Sequence, residues 1–392
     1  MFFKNNSNLR FNNLKSFFRE NSDILFLNSS FCFKNCYYAE KFFKFSNFYN
    51  IYSRFSNPTT NFMEKKIAFF EKSKYCISFS SGMAAIISLF INFLFSGNIF
   101  YTTIDLFGST LNFFSNILYK FNIISVFINP FNINSLYYDI FFVKLFFIET
   151  PSNPLLKLFN IYTLSYISLK YNILFIIDNT FSSPILQNPI IYNIDFVIHS
   201  CTKFFDGQGR ILGGVALTNN YFLFLNIFSF LRFSGFSISC FNSWIIFKSL
   251  DHLFIRIKNQ IYNSYIFLKI FKYNLFILKI FHTGNLNYFN YKILNFQQVF
   301  INSIFSFLIK GNTLEMMRIN SWKIVDNIFL LNTANLGDIS TLITNCSITT
   351  HISLSFLEKL FLNINDSLLR ISFGLEDIFD LYYSLSFAFN NI

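Results

Sequence analysis

The sequence predicts an α/β protein, a mostly parallel central sheet covered by helices on both faces, followed by a smaller C-terminal α+β domain. Three observations carry this. Short all-apolar runs such as "KLFFIET", "NILFIID" and "FVIHS" recur without polar alternation, as strands buried on both faces require. Segments with helical spacing separate them, which is the rhythm of strand–helix–strand units. A length of 392 residues leaves room for a second domain.

In chain order, residues 1–48 form an irregular polar arm. "NIYSRFSNPTTNFMEKKIAFFEKSKY" follows, in which Asn-Pro-Thr marks a turn and Phe62, Ile67 and Phe70 share a helix face. "CISFSSGMAAIISLFINFLF" reads as strand, Ser-Ser-Gly turn and apolar helix. "NIFYTTI" is a strand and "STLNFFSNILYKF" is helical. "KLFFIET" is a strand stopped by "PSNP", and "NILFIID" and "FVIHS" are two more. A long helix begins near "SGFSISCFNSWIIFKSLDHLFIRIKNQ", and beyond it strands and helices mix. The change of pattern places a boundary near residue 245, giving a large domain over 49–245 and a C-terminal domain over 246–392. No internal repeat is present.

The composition excludes several classes. Hydrophobic residues make up 53% and aromatic residues 22%, with 62 Phe against 12 Gly. Phe, Ile, Asn and Lys all have A/T-rich codons, so this is a bias of the gene and not an aromatic binding surface. Mean hydropathy is +0.41, yet no apolar run reaches the roughly 18 residues that a spanning helix needs. We therefore expect no membrane span and a cytoplasmic protein. The net charge of +11 comes from scattered lysines with no nucleic-acid motif. Of the six cysteines only Cys32 and Cys36 lie close together, and no second pair or histidine completes a metal site. Free thiols in a reducing compartment fit. The start, "MFFKNNSNLRFNNLKSFFRE", is basic and slightly amphipathic; a transit peptide and compositional drift both give this appearance.

Ligands of open parallel sheets sit beyond the carboxyl ends of the strands, and polar residues collect at those ends here. Ser81, Gly82 and Met83 follow the first strand and open a helix. Thr150, Ser152 and Asn153 follow "LFFIE"; Asp178, Asn179 and Thr180 follow "ILFII"; Ser200, Thr202 and Lys203 follow "FVIH". Each has a bland reading. Ser-Gly before a helix is usually a cap, Asp178 a turn residue and Lys203 an ion-pair partner. Each also has a chemical one: a helix N-terminus for a phosphate, a carboxylate to keep a ring nitrogen protonated, and an amine for a Schiff base. Those are the three requirements of pyridoxal phosphate, and their coincidence in one sheet favours the chemical reading.

The ordered runs "YSRFSNPT", "SSGMAAI", "ETPSNP", "DNTFSSPILQNPI", "HSCTKFFDGQGRILGG" and "LLRISFGLED" resemble the Cys/Met-metabolism pyridoxal-phosphate enzymes, fold-type I relatives of cystathionine synthases and lyases. Within that family "FFDGQGRILGG" is similar to the O-succinylhomoserine sulfhydrylase group, as is Phe107 in "DLFGST", where the family usually has a tyrosine. The resemblance implies that Lys203 carries the cofactor covalently and acts as the acid–base catalyst, and that Asp178 pairs with the pyridine nitrogen. It implies that Gly82, Met83, Ser200 and Thr202 bind the phosphate and that Phe107 stacks on the ring. Tyr52 and Arg54 would reach that phosphate from a neighbouring subunit, in a dimer at least and a homotetramer by family habit. Asn153 would touch the ring oxygen or substrate, Arg370 would clamp the substrate α-carboxylate, and Thr341 would lie near that carboxylate.

The implied reaction is replacement of the γ-acyloxy group of an O-acylhomoserine by sulfide, giving homocysteine for methionine biosynthesis. Its rivals are cystathionine γ-synthase, a cystathionine or methionine lyase, and a degenerate non-catalytic chain. Arg210 has two readings, a contact for a succinyl carboxylate or a structural partner of Asp206. The family's His-Pro is replaced by Asn345-Cys346, and "HTGNLNYFNYKIL" is hard to align.

Overall fold

A computed structural model describes residues 20–44, 49–132, 140–285, 291–352 and 354–391. The basic start of the arm and part of the segment after His282 lie outside them. The first sheet contains β1 (Tyr75–Phe79), β2 (Ile99–Thr102), β3 (Ile124–Phe127), β4 (Val143–Glu149), β5 (Leu174–Asp178), β6 (Phe196–Ser200) and β7 (Gly214–Thr218). Their spatial order is β1-β7-β6-β5-β4-β2-β3. The run from β6 to β3 is parallel, whereas β7 lies antiparallel to both β6 and β1. A second sheet, ordered β10-β11-β12-β9-β8, is formed by β8 (Ile277–Phe281), β9 (Ile304–Ile309), β10 (Leu331–Asn332), β11 (Leu342–Asn345) and β12 (Leu368–Ser372).

The expected strands and helices of the first half are all present. Two strands were not anticipated. β3 is an edge strand with mostly exposed side chains, so it lacks the apolar continuity that reveals a buried strand. β7 is fully buried, but it returns from the Lys203 turn without a helix and so breaks the alternation used to find the others.

The helix Pro58–Glu71 starts at Asn57, whose side chain accepts from Thr59 N–H, with proline in the first turn. It packs Met63 and Ile67 into a core shared with β7 and with the helix Cys240–Ser249. The expected long helix is divided: after Ser249 a tight turn leads into Leu253–Phe271. Leu253 and Ile257 belong to the core of the first sheet, whereas Phe267, Leu268 and Phe271 belong to that of the second. One continuous helix thus crosses between the cores, and we propose that the boundary expected near residue 245 be drawn within it. No helix among the described residues is long and apolar enough to cross a membrane.

Candidate active site

The carboxyl ends of β4, β5 and β6 and the entry to the helix Gly82–Phe93 face one region. Ser81 caps that helix by accepting from Ala84 N–H at 3.1 Å. The N–H groups of Gly82 and Met83 have no acceptor among the described residues. Gly82 lies against the end of β6: a Cβ there would stand 3.0 Å from Ser200 Cβ, so glycine lets the helix end approach that serine. Ser200 N–H donates to Thr180 Oγ1 at 2.9 Å. Gly213 N–H donates to Thr202 Oγ1 at 3.1 Å, leaving the hydroxyl proton only a long contact of 3.5 Å to the Gly213 carbonyl. This is a cradle of donors at a positive helix end, suited to a phosphate.

Asp178 ends β5 and accepts from Thr180 N–H at 2.9 Å. Burial pushes its pKa up, opposed by the Thr180 hydrogen bonds and by His199. No ion pair among the described residues includes it. A half-buried carboxyl in that condition gains stability from a cation, which a protonated pyridine nitrogen supplies. The structure thus fits pyridoxal phosphate on two counts, the donor cradle and the uncompensated acid.

Lys203 follows β6 in a turn closed by Gly207 N–H donating to the Lys203 carbonyl at 2.8 Å. Its Nζ donates to Asn335 Oδ1 at 2.7 Å, and it has no carboxylate partner. Burial first and the Arg370 charge second lower its pKa to about 8. Among the described residues the ion-pair reading finds no carboxylate partner, and the lowered pKa suits a nucleophilic amine. Arg370, in the middle of β12 and 1% exposed, donates from Nη1 to Asn153 Oδ1 at 2.9 Å and from Nη2 to the Asn335 carbonyl at 3.1 Å. Asn335 therefore joins the lysine to the arginine. A cavity of about 430 Å³ opens beside them, bounded by Thr202, Lys203, Arg210, Leu212 and Asn335.

Two site residues escaped the sequence reading. Asn335 sits in "TANLGD", a Gly-containing turn with no chemical signal of its own. Glu149 ends β4 opposite Asp178 in register and accepts from Phe107 N–H at 2.8 Å. Burial, then the neighbouring Asp178 charge, raises its pKa well above the usual range, and its Oε2 fixes the backbone of Phe107 at the start of the helix Gly108–Asn112. Its place at a strand end was the available clue.

Thr341 is not brought to this cluster. Its hydroxyl donates its one proton to Glu376 Oε2 at 2.6 Å and accepts from Gly374 N–H at 2.8 Å, whereas Asn335 makes the polar contacts to Lys203 and Arg370. Arg210 takes the structural alternative, donating from N, Nε and Nη2 to Asp206. Asn345 is also internal, donating to the Asp366 carbonyl at 2.7 Å and to Ser321 Oγ at 3.1 Å. Tyr52 and Arg54 are exposed and make no contact with Lys203, Asp178 or Arg370. Arg54 donates to the Arg232 carbonyl, and both guanidinium groups lie over the Phe55 ring, at 4.8 and 4.3 Å from its centroid. Among the described residues no cluster of metal ligands is present, and all six cysteines are free.

The family model for "Cys/Met metabolism PLP-dependent enzyme" matches residues 9–390. The chain belongs to this family. Its cofactor is pyridoxal 5'-phosphate. The chain is 33% identical over 365 residues to the O-succinylhomoserine sulfhydrylase of Pseudomonas aeruginosa, covering 92% of this chain and 89% of that one. It is 31% identical to the cystathionine gamma-lyase of Dictyostelium discoideum, covering 86% of each chain. A solved protein of Campylobacter jejuni that carries N'-pyridoxyl-lysine-5'-monophosphate superimposes with a TM-score of 0.90 at 26% identity, covering 96% of each chain.

Proposed function

We propose that this family member exchanges the γ-acyloxy group of an O-acylhomoserine, O-succinyl-L-homoserine foremost, for sulfide, forming L-homocysteine for methionine biosynthesis. The observation that carries the reaction class is the pair formed by a low-pKa Lys203 and a buried Arg370, joined through Asn335. The choice within the family rests on "FFDGQGRILGG" and Phe107, supported by the Pseudomonas relative.

When bound, pyridoxal phosphate supplies an electron sink that acidifies the Cα–H and Cβ–H bonds of an amino acid. Gly82 and Met83 N–H, Ser200 and Thr202 would hold its phosphate, Asp178 would keep its ring nitrogen protonated, and Phe107 would cover one face. Arg370 receives the substrate α-carboxylate, its planar fork oriented by Asn153. Lys203, released by the incoming amine, is an unprotonated base in useful proportion near neutral pH. It would take the Cα proton and give it up again, then take a Cβ proton as the Cγ–O bond breaks and the acyloxy group leaves as a carboxylate; once hydrosulfide has bonded to Cγ, protons return to Cβ and Cα. Tyr52 and Arg54 face outward, and in our reading they complete the phosphate site of a neighbouring subunit, requiring a dimer and allowing a tetramer. Free thiols throughout the described chain agree with a cytoplasmic setting.

The test is purified protein with pyridoxal phosphate, O-succinylhomoserine and sulfide, assayed for homocysteine, with cysteine replacing sulfide in parallel. Homocysteine that disappears in Lys203→Ala supports the reading. Cystathionine from cysteine with little homocysteine from sulfide would move the chain to the synthase branch.

A further inference from the structure

We propose that Arg256 is a positioning residue for Lys203: from the helix Leu253–Phe271 it fixes the turn that carries the lysine and so sets the lysine against Asn335. The inference rests on Lys203 being the reacting amine. Arg256 is 4% exposed. Its Nη1 donates to the Phe204 carbonyl at 2.8 Å, and Nη2 donates to the carbonyls of Phe205 and Ser249, both at 3.1 Å. The first two acceptors are the residues directly after Lys203. The turn also closes internally, through Lys203 N–H to the Ser200 carbonyl at 3.2 Å and Asp206 N–H to the Cys201 carbonyl at 3.0 Å.

Gly207 shows that the guanidinium is built into the turn. Its φ is +64°, and a Cβ there would stand 1.8 Å from Arg256 Nη1, so a side chain at 207 and the guanidinium exclude one another. On the other side, Ile339 N–H donates to the Gly207 carbonyl at 2.8 Å. Gln260, one helical turn beyond Arg256, donates to the Asp338 carbonyl at 2.7 Å. Adjacent turns of one helix thus hold the two loops that supply Lys203 and Asn335. A planar fork can reach carbonyls on both sides in fixed directions, which an ammonium cannot. Arg256 remains a cation there, for burial lowers its pKa only to about 10, with Asp206 opposing.

The test compares Arg256→Lys, Arg256→Gln and Gly207→Ala as cofactor-loaded enzymes. Four quantities are read: kcat and KM separately, the acidic limb of the kcat–pH profile, thermal stability, and the pH midpoint for capture of pyridoxal phosphate by stripped enzyme, followed by visible absorbance. A loosened turn lets water reach Nζ, so the capture midpoint and the acidic limb both move to higher pH. We expect kcat to fall by about 10²-fold in Arg256→Gln and less in Arg256→Lys, with KM changed by no more than about threefold. Gly207→Ala, which keeps the charge but displaces it, moves in the same direction. Should Arg256→Gln not fold, the other two variants decide. Wild-type kcat and pH midpoint in folded variants overturn the proposal, and so does a loss that follows thermal stability alone without a pH shift. A Lys203→Ala protein that still turned over would instead overturn the assignment of Lys203, whatever the Arg256 variants do.

Discussion

Replacing Lys203 by methionine should stabilise the cofactor-free protein near neutral pH, by an amount that disappears at alkaline pH. The pKa of this lysine falls from the ordinary 10.5 to about 8 in the folded chain, so between these values the unfolded state binds the proton and the folded state does not. The wild type therefore gains stability as pH rises from 8 to 10.5, and below 8 it carries the whole cost of an ammonium confined beside Arg370. At about 1.4 kcal/mol per pKa unit the full cost is about 3 kcal/mol. Lys203 is part-exposed, and water screening brings the expected size to about 2 kcal/mol. Loss of the Nζ bond to Asn335 adds an offset that does not vary over this range. The assay is urea unfolding of both stripped proteins at about pH 7 and at pH 10.5, reading the change in their difference. Stability curves that stay parallel across that window would show that Lys203 titrates alike in both states, and the depressed amine would be refuted.

Asn335→Ala removes the Oδ1 acceptor of Lys203 but keeps the backbone carbonyl that binds Arg370, so kcat should fall about tenfold with KM nearly unchanged. Asn335→Asp sets a carboxylate against Nζ and should move the acidic limb of the kcat–pH profile upward. Steady-state kinetics across pH checks both. Arg370→Lys loses the fork shared by Asn153, Asn335 and the proposed substrate carboxylate, and KM for the amino-acid substrate should rise about 10- to 100-fold. Glu64, which accepts from Ser78 N–H and Oγ, is raised by burial to a pKa of about 7. The stability it gains as a neutral acid is complete below pH 4.5 and lost as pH rises through 7. Glu64→Gln should therefore melt higher than wild type at alkaline pH and nearly alike near pH 4.5, the gap approaching about 2 kcal/mol once water screening of this half-buried group is allowed for.

The parts of the site visible in the sequence are those set by local chain direction. A strand followed by a polar residue places that residue at the sheet's carboxyl edge, so Asp178, Ser200, Thr202 and Lys203 could be grouped before any tertiary contact was known. The polar partners of Lys203 and Arg370 depend on long-range docking instead. Asn335 lies 132 residues beyond Lys203 and reaches it because the loop before β11 packs on the Lys203 turn. Nothing in an Asn-Leu-Gly turn distinguishes that from a surface turn. Thr341 shows the converse. The resemblance implied a hydroxyl near the substrate carboxylate at Thr341, but that hydroxyl donates to Glu376, 35 residues on. Arg210 was undecided for the same reason, since an acid four residues earlier pairs on some turns and points away on others.

The compositional bias also bears on whether the chain is a working enzyme. In the first core Phe90 packs edge-on to Phe100 at 5.0 Å and to Phe147 at 5.6 Å, with Phe114 at 4.6 Å. The second core stacks Phe267 on Phe271 at 5.1 Å and on Phe373 at 4.9 Å. Interior packing asks chiefly for volume and shape, so such positions absorb a drift toward phenylalanine when neighbours repack. A carboxylate facing a ring nitrogen, a buried guanidinium fork or a glycine under a helix end cannot be exchanged on those terms. Glu149, Asp178, Gly207, Arg256 and Arg370 are not residues that the bias supplies, and the structure commits each of the last three to specific partners or close approaches. A chain retained only as a scaffold would have no physical reason to keep a buried arginine facing a lysine across Asn335, because an apolar pair of the same volume would be at least as stable there.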